Sequence, residues 1–189
     1  KRMNMKNVLI ISGQQTFAAS VANKTILETL NETAAEAEIV KLDELYPDFK
    51  IDVEAEQQKL LRADIIVLQF PLFWYSAPSI LERWMEETFR HGFSHGSTGD
   101  KLKGKNSFSL SQREHPSIDS HKGAMGYTID EFLACYKATC RLTHMEYSGS
   151  VYTCGVSYGN RTTPELIEQQ RNISVAHTER LIELLETLN

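Results

Sequence analysis

Ile65-Ile66-Val67-Leu68-Gln69-Phe70-Pro71-Leu72-Phe73-Trp74-Tyr75-Ser76-Ala77-Pro78 is the stretch from which the fold can be read. Its first four residues form a continuous apolar run, which predicts a short strand buried on both faces, as in a parallel sheet. Pro71 stops that strand, because proline has no N–H for the ladder. Pro71 and Pro78 then bracket a stiff loop carrying Phe73, Trp74 and Tyr75 in succession. Consecutive side chains cannot all face one core. Some of these rings must meet a ligand, a partner or solvent. A planar heterocycle would stack on this surface and take hydrogen bonds from its amides; aromatic packing or a dimer contact would use the same residues equally well.

Working outward, the same grammar repeats. Val8-Leu9-Ile10-Ile11 is a second buried-strand run and ends in the turn signal Ser12-Gly13. Residues 20–33 read as a helix with Val21, Ile26, Leu27 and Leu30 on its apolar side. Residues 37–42 alternate as a strand, and 54–62 read as a polar helix. On the other side, 78–89 carries Leu81, Trp84, Met85 and Phe89 at helical spacing. Residues 106–111 suit a fourth strand and 150–156 a fifth. Thr128 with Glu131 forms a capping box opening a helix whose stripe is Ile129, Phe132, Leu133, Tyr136 and Cys140. Thr163 followed by Pro164 opens the last helix, which carries Leu181, Leu184, Leu185 and Leu188. Strand–helix alternation implies right-handed crossovers and a sheet covered on both faces, hence an α/β fold. Two loops, 92–105 and 112–127, exceed the usual length, which marks functional or mobile segments.

Length and composition fit one domain over 1–189, with the polar residues 1–6 expected to fray. Hydrophobic residues at 41% and charged residues at 24% argue against disorder. A net charge of -5 argues against nucleic-acid partners and anionic membranes. Cys135, Cys140 and Cys154 form no CxxC pair, which suits a reducing compartment. No apolar run approaches the roughly 20 residues of a membrane span, and no signal peptide is visible, so a cytoplasmic location is expected. His91 and His95 lack a third ligand nearby, so no metal site is expected. P-loop, GxGxxG and GxSxG signatures are absent.

In an open α/β sheet, ligands bind beyond the carboxyl ends of the strands. The loop after the first strand, residues 13–23, runs into a helix N-terminus suited to a phosphate. Thr16, Ser20 and Asn23 offer side-chain donors there; Ser20 as a plain helix cap is an equal reading.

The loop over 71–78 resembles the P-x-x-W-[YF]-x-x-P loop of flavodoxin-like NAD(P)H:quinone oxidoreductases. Leu45-Tyr46-Pro47-Asp48-Phe49 with Ile51-Asp52 and Glu56-Gln57, Trp84 through Phe89, His91-Gly92-Phe93-Ser94-His95-Gly96, and Gly126-Tyr127-Thr128 resemble other family segments, in order over nearly the whole chain. The likeness is closest to small bacterial members, including ancillary reductases of glutathione-gated potassium efflux systems and general-stress quinone reductases. The resemblance implies a flavodoxin-like three-layer sandwich with a five-stranded parallel sheet in the order 2-1-3-4-5. It implies FMN rather than FAD, NAD(P)H as co-substrate, a quinone or similar small-molecule acceptor, ping-pong kinetics and a homodimer. A membrane-transporter partner also follows from it.

On this resemblance the flavin phosphate belongs to Gln14, Thr16, Ser20, Val21, Ala22 and Asn23. The ring belongs to Pro71, Leu72, Phe73, Trp74 and Tyr75, with Ser111, Gln112 and Arg113 on its other side. Two departures stand out. Gln14-Gln15 occupies the place of the family's His-Pro, and Leu110 through Pro116 that of its Thr-Thr-Gly-Gly loop. Gln112 or Arg113 then either donates to the flavin N1 and O2 or crowds the ring. Tyr75, Arg113 and His115 are the catalytic candidates, although His115 and His121 read more readily as solvated loop histidines than as catalytic ones. Two rival readings share the scaffold: a flavin-poor regulatory or binding module docked on a transporter or other partner, and an azo or nitro reductase.

Overall fold

The computed structural model describes residues 6–14, 20–34, 36–113, 126–157, 159 and 161–188. In chain order the elements are β1 (Val8–Ser12), α1 (Val21–Thr33), β2 (Glu38–Lys41), α2 (Leu42–Leu45), α3 (Val53–Arg62), β3 (Ile65–Pro71), α4 (Ser79–Thr88), β4 (Asn106–Gln112), α5 (Ile129–Phe132), α6 (Ala134–Thr143), β5 (Glu146–Thr153) and α7 (Pro164–Glu186). The five strands are all parallel in the order β2-β1-β3-β4-β5. This is the flavodoxin-like sheet order that the resemblance implied.

Strand alternation divides the core in two. Leu9, Ile11, Ile66, Leu68 and Phe70 pack with Leu60, Leu81, Trp84 and Tyr136 from α3, α4 and α6. Val8, Ile10, Val67, Phe108, Leu110 and Val151 face the other way, onto Ile26, Leu27 and Leu30 of α1 and Leu181 and Leu185 of α7. The continuous apolar runs of β1 and β3 are explained by this burial on both faces.

Three boundaries differ from the sequence reading. β5 begins at Glu146 and ends at Thr153, not over 150–156. Its start is set by pairing with β4, from Asn106↔Glu146 to Gln112↔Thr153, with a bulge opposite Ser107/Phe108. An edge strand that is mostly half-buried carries too little apolar pattern to reveal that register. The residues over 37–42 split instead into a shorter β2 and the single-turn helix α2, because buried Leu42 turns into the core under α4. The helix opened by the Thr128 capping box, which is present, breaks at Leu133 into α5 and α6.

Two buried ionisable groups shape the helical layers. Glu56 on α3 is fully buried and accepts from Tyr46 Oη and Trp84 Nε1, both at 2.8 Å, and from Lys59 Nζ. One carboxylate thus ties the α2–α3 segment to α4. Burial, and then the Glu56 contact, push the Tyr46 hydroxyl above the ordinary tyrosine range. On the opposite face, His177 of α7 is fully buried with Nδ1 2.8 Å from Thr153 Oγ1. Burial, with Arg180 nearby, holds its pKa down to about 3.

Two outcomes follow from these groups. Glu56→Gln leaves buried donors facing an amide, and urea unfolding should show a loss of about 3 kcal/mol. His177 is neutral in the folded chain, whereas the unfolded chain takes up its proton below about pH 6.5. Its contribution is therefore lost as pH falls from there toward 3, at up to about 1.4 kcal/mol per pH unit. His177→Gln should flatten the pH dependence of stability across pH 6.5–4 by about one proton.

Candidate functional site

β1, β3 and β4 end side by side, and main-chain bonds bind their exits together. Gly13 N donates to Gln69 O at 2.9 Å and Leu72 N to Gln112 O at 2.8 Å. Arg113 N donates to Thr153 O at 2.9 Å and Val156 N to Arg113 O at 3.0 Å. Gly13 is required where β1 passes α4, since a Cβ there would lie 2.5 Å from Leu81 Cβ. Above these exits lies a cleft of about 730 Å³.

Its floor is a buried polar network centred on Asn23. Ser20 caps α1: its Oγ accepts from Asn23 N at 3.2 Å and Asn23 Nδ2 at 3.0 Å. Asn23 Oδ1 in turn accepts from Gln69 Nε2 and, at 3.1 Å, from Gln112 Nε2. Ser12 Oγ donates to Gln69 Oε1 at 2.6 Å. With both lone pairs of Ser20 engaged, its O–H is the group left to donate outward. Gln14 is buried at 1% exposure, and its Oε1 has no hydrogen-bond partner among the described residues.

The wall is the aromatic loop. Phe73 and Ser76 exchange two main-chain bonds of 2.9 Å around a two-residue turn. Trp74 and Tyr75 both hold positive φ, 47° and 68°. This is the turn type that Asn-Gly usually fills, and each bulky residue is strained there by about 1–2 kcal/mol. The loop is anchored from below: Ser76 Oγ and Tyr136 Oη donate to Glu82 Oε1 at 3.2 and 3.0 Å. Tyr75 stacks on Phe132 at 5.1 Å between centroids, and Tyr127 lies 5.8 Å from the same ring. The Arg113 guanidinium sits over the Tyr75 ring at 5.1 Å. Trp74 is 94% exposed.

The cleft brings together Gln14, Ser20, Ala22, Asn23, Pro71, Leu72, Phe73, Trp74, Tyr75, Gln112 and Arg113. Val21 lies half-exposed on α1 outside its lining, and Ser111 is buried within β4. Thr16, Gln15, His115 and His121 lie outside the described residues. The Gln112 amide is committed to Asn23, whereas Arg113 turns onto Tyr75, so these two neighbours have different surroundings. Arg161 and Val156, from the β5–α7 loop, also line the cleft and were not anticipated. The signal was available: that loop too follows the carboxyl end of a parallel strand. Arg113 and Arg161 are the charged side chains of the lining among the described residues. His91 and His95 stand edge to face, 5.7 Å apart, with Ser94 Oγ 3.0 Å from His95 Nδ1. No group of three metal-binding side chains occurs among the described residues.

The strained turn makes a direct prediction. Trp74→Gly removes a left-handed tryptophan whose ring is almost wholly solvated, so chemical denaturation should show a gain of about 0.5–1 kcal/mol. Trp74→Val places a β-branched residue at the same φ and should lower stability.

Comparison with known proteins places this geometry. Residues 6–177 match the family described as having a flavodoxin-like fold. The chain is 45% identical over 98 residues to the glutathione-regulated potassium-efflux system ancillary protein KefF of Enterobacter sp. (strain 638), covering 52% of this chain and 55% of KefF. It thus spans about half the length of that relative. It is 34% identical over 145 residues to the uncharacterized NAD(P)H oxidoreductase YdeQ of Bacillus subtilis (strain 168), covering 76% of this chain and 73% of YdeQ. General stress protein 14 of Treponema denticola, solved in complex with FMN, superposes with a TM-score of 0.83 at 24% identity, covering 94% of this chain and 99% of that one. A five-stranded parallel sheet in the order 2-1-3-4-5, a cleft at its carboxyl edge and a match running from residue 6 to 177 make this chain a member of the flavodoxin-like fold family.

Proposed function

We propose that the protein is a flavin-dependent NAD(P)H oxidoreductase that binds FMN in this cleft and reduces a quinone in a two-electron, ping-pong cycle. The observation that carries the reading is the cleft's composition. It combines an aromatic wall, a polar floor with an orphaned Gln14 Oε1, and arginine as its charged component among the described residues. Those features fit a flat heterocycle with an anionic tail. FMN, when bound, supplies the hydride chemistry.

The chain's own groups have distinct tasks in this reading. The Ser20 hydroxyl and the amides opening α1 receive the phosphate, with the helix dipole favouring the anion. Gln14 Oε1 accepts from a hydroxyl of the cofactor's chain. The turn spends the Phe73 and Ser76 groups on itself, which leaves the Trp74 amide for the ring. Phe132 backs Tyr75, so the wall is rigid before ligand arrives. Rigid, pre-oriented donors lower the cost of binding and of charge development.

The relatives support the wider reading: YdeQ is described as an uncharacterized NAD(P)H oxidoreductase and KefF as a potassium-efflux system ancillary protein. A homodimer would cover Trp74 and the exposed Tyr127. Three free thiols suit a reducing, cytoplasmic setting, and no described helix is long and apolar enough to cross a membrane. The Arg113 side chain, in the loop where the resemblance implies glycines, favours a second reading: a flavin-poor module that docks on a transporter or other partner.

FMN titration into apoprotein, followed by NADPH oxidation with a simple quinone, tests both. The expected result is stoichiometric FMN binding and turnover by wild type. Replacing Gln112 and Arg113 together by glycine should slow turnover, because Asn23 loses a partner and the loop loosens. Flavin binding by the double-glycine variant alone would favour the docking module, and none by either would sink the enzyme reading.

A further inference from the structure

We propose that the acceptor this cleft selects is a planar aromatic compound carrying an anionic group, a carboxylate or sulfonate, and that Arg113 is the residue that selects it. The inference rests on the oxidoreductase reading and names the substrate class of the same site.

The chain as a whole carries a net charge of -5. Against that background, the charged side chains lining the cleft are Arg113 and Arg161 among the described residues. Among the described residues the charged lining of the cleft is therefore opposite in sign to the chain as a whole, which favours anions at this opening. Arg113 is fixed rather than free to wander. Its N–H donates to Thr153 O at 2.9 Å and its carbonyl accepts from Val156 N at 3.0 Å, so its backbone is pinned at the end of β4. Its guanidinium Cζ lies over the Tyr75 ring, 5.1 Å from the centroid, and that ring is itself backed by Phe132. A cation–π contact consumes no N–H, so the guanidinium donors remain for hydrogen bonding in the fork geometry that matches carboxylate and sulfonate oxygens.

Arg113 forms no ion pair among the described residues, and its Nη1 is buried without a hydrogen-bond partner there. A buried N–H left without a partner is costly until an acceptor meets it. The aromatic wall supplies the other half of the recognition, an apolar surface for a flat ring beside the charge. A neutral quinone would use the wall and leave the guanidinium unmatched. The same edge could receive the 2′-phosphate of NADPH, so the test must separate acceptor from donor.

Holoprotein of wild type, Arg113→Gln and Arg113→Lys is assayed with 1,4-naphthoquinone-2-sulfonate and 1,4-naphthoquinone, each with NADH and NADPH. Comparing the sulfonate-to-neutral ratio of kcat/KM between variants cancels the intrinsic reactivity of the two acceptors. That ratio should fall about tenfold or more in Arg113→Gln, carried by KM for the sulfonate. It should fall less in Arg113→Lys, which keeps charge but loses the fork. Added salt should lower the wild-type ratio. A ratio unchanged by Arg113→Gln overturns the proposal. So does a change that appears only in the NADPH-to-NADH ratio, which assigns the arginine to the dinucleotide. Loss of FMN from Arg113→Gln also overturns it, in favour of a cofactor role.

A second arm needs no flavin. Calorimetric titration of the apoprotein with naphthalene-2-sulfonate and 2-naphthol should show tighter binding of the sulfonate, and Arg113→Gln should abolish the difference. Equal affinity in wild type overturns the selectivity itself. Failure of wild type to bind FMN, with the sulfonate preference intact, would instead fault the enzyme reading alone.

Discussion

The carboxamide of Asn23 is the point where the site is assembled. A parallel sheet brings strand ends to one edge but leaves their loops independent of one another. Asn23 joins them: its Oδ1 takes Gln69 of β3 and Gln112 of β4, and its nitrogens go to Ser20, the cap of its own helix. Ser12 of β1 is attached through Gln69. Every member is buried, so each unsatisfied alternative would carry a desolvation cost. That condition admits few arrangements of the three loops, which is how a polar network confers precision that an apolar core does not.

The aromatic wall has the opposite character. Two consecutive bulky residues at positive φ are unfavourable on their own, yet the hairpin bonds of Phe73 and Ser76 and the Glu82 anchor below hold them there. Strain of this kind persists where the surrounding structure over-determines it, and it clusters at sites of function. Here its effect is directional. Tyr75 turns inward onto Phe132 and under Arg113, while Trp74 projects into solvent. One turn therefore gives two adjacent aromatic rings of the cleft wall different surroundings, one packed and one solvated.

Glu56 shows how the scaffold beneath the wall is secured. It accepts from Tyr46, from Lys59 on its own helix and from Trp84, so one carboxylate joins the α2–α3 segment to α4. Trp84 lies on α4, the helix that also carries Glu82. The aromatic loop is thus anchored to a helix that is itself held by a buried carboxylate outside the cleft lining.

Much of this was legible in the residue order. The apolar runs at Val8–Ile11 and Ile65–Leu68, the Thr128 capping box, and Thr163-Pro164 before α7 are local signals, and each marks an element found in the structure. The aromatic loop at the end of β3 also declared itself, because three adjacent rings cannot share one core. The start of β5 was not legible, since it is set by a register with β4 rather than by a pattern of its own. Nor could the sequence separate Gln112 from Arg113. They are neighbours in the chain, but strand alternation sends one down to Asn23, and the exit from the strand sends the other to Tyr75. Arg161 reaches the same cleft only because the order 2-1-3-4-5 brings the β5 exit beside that of β4. Periodicity, caps and composition act over a few residues, and they determined the elements and the fold class. The partners of a buried polar group are chosen across the sheet, so only the tertiary structure could decide them.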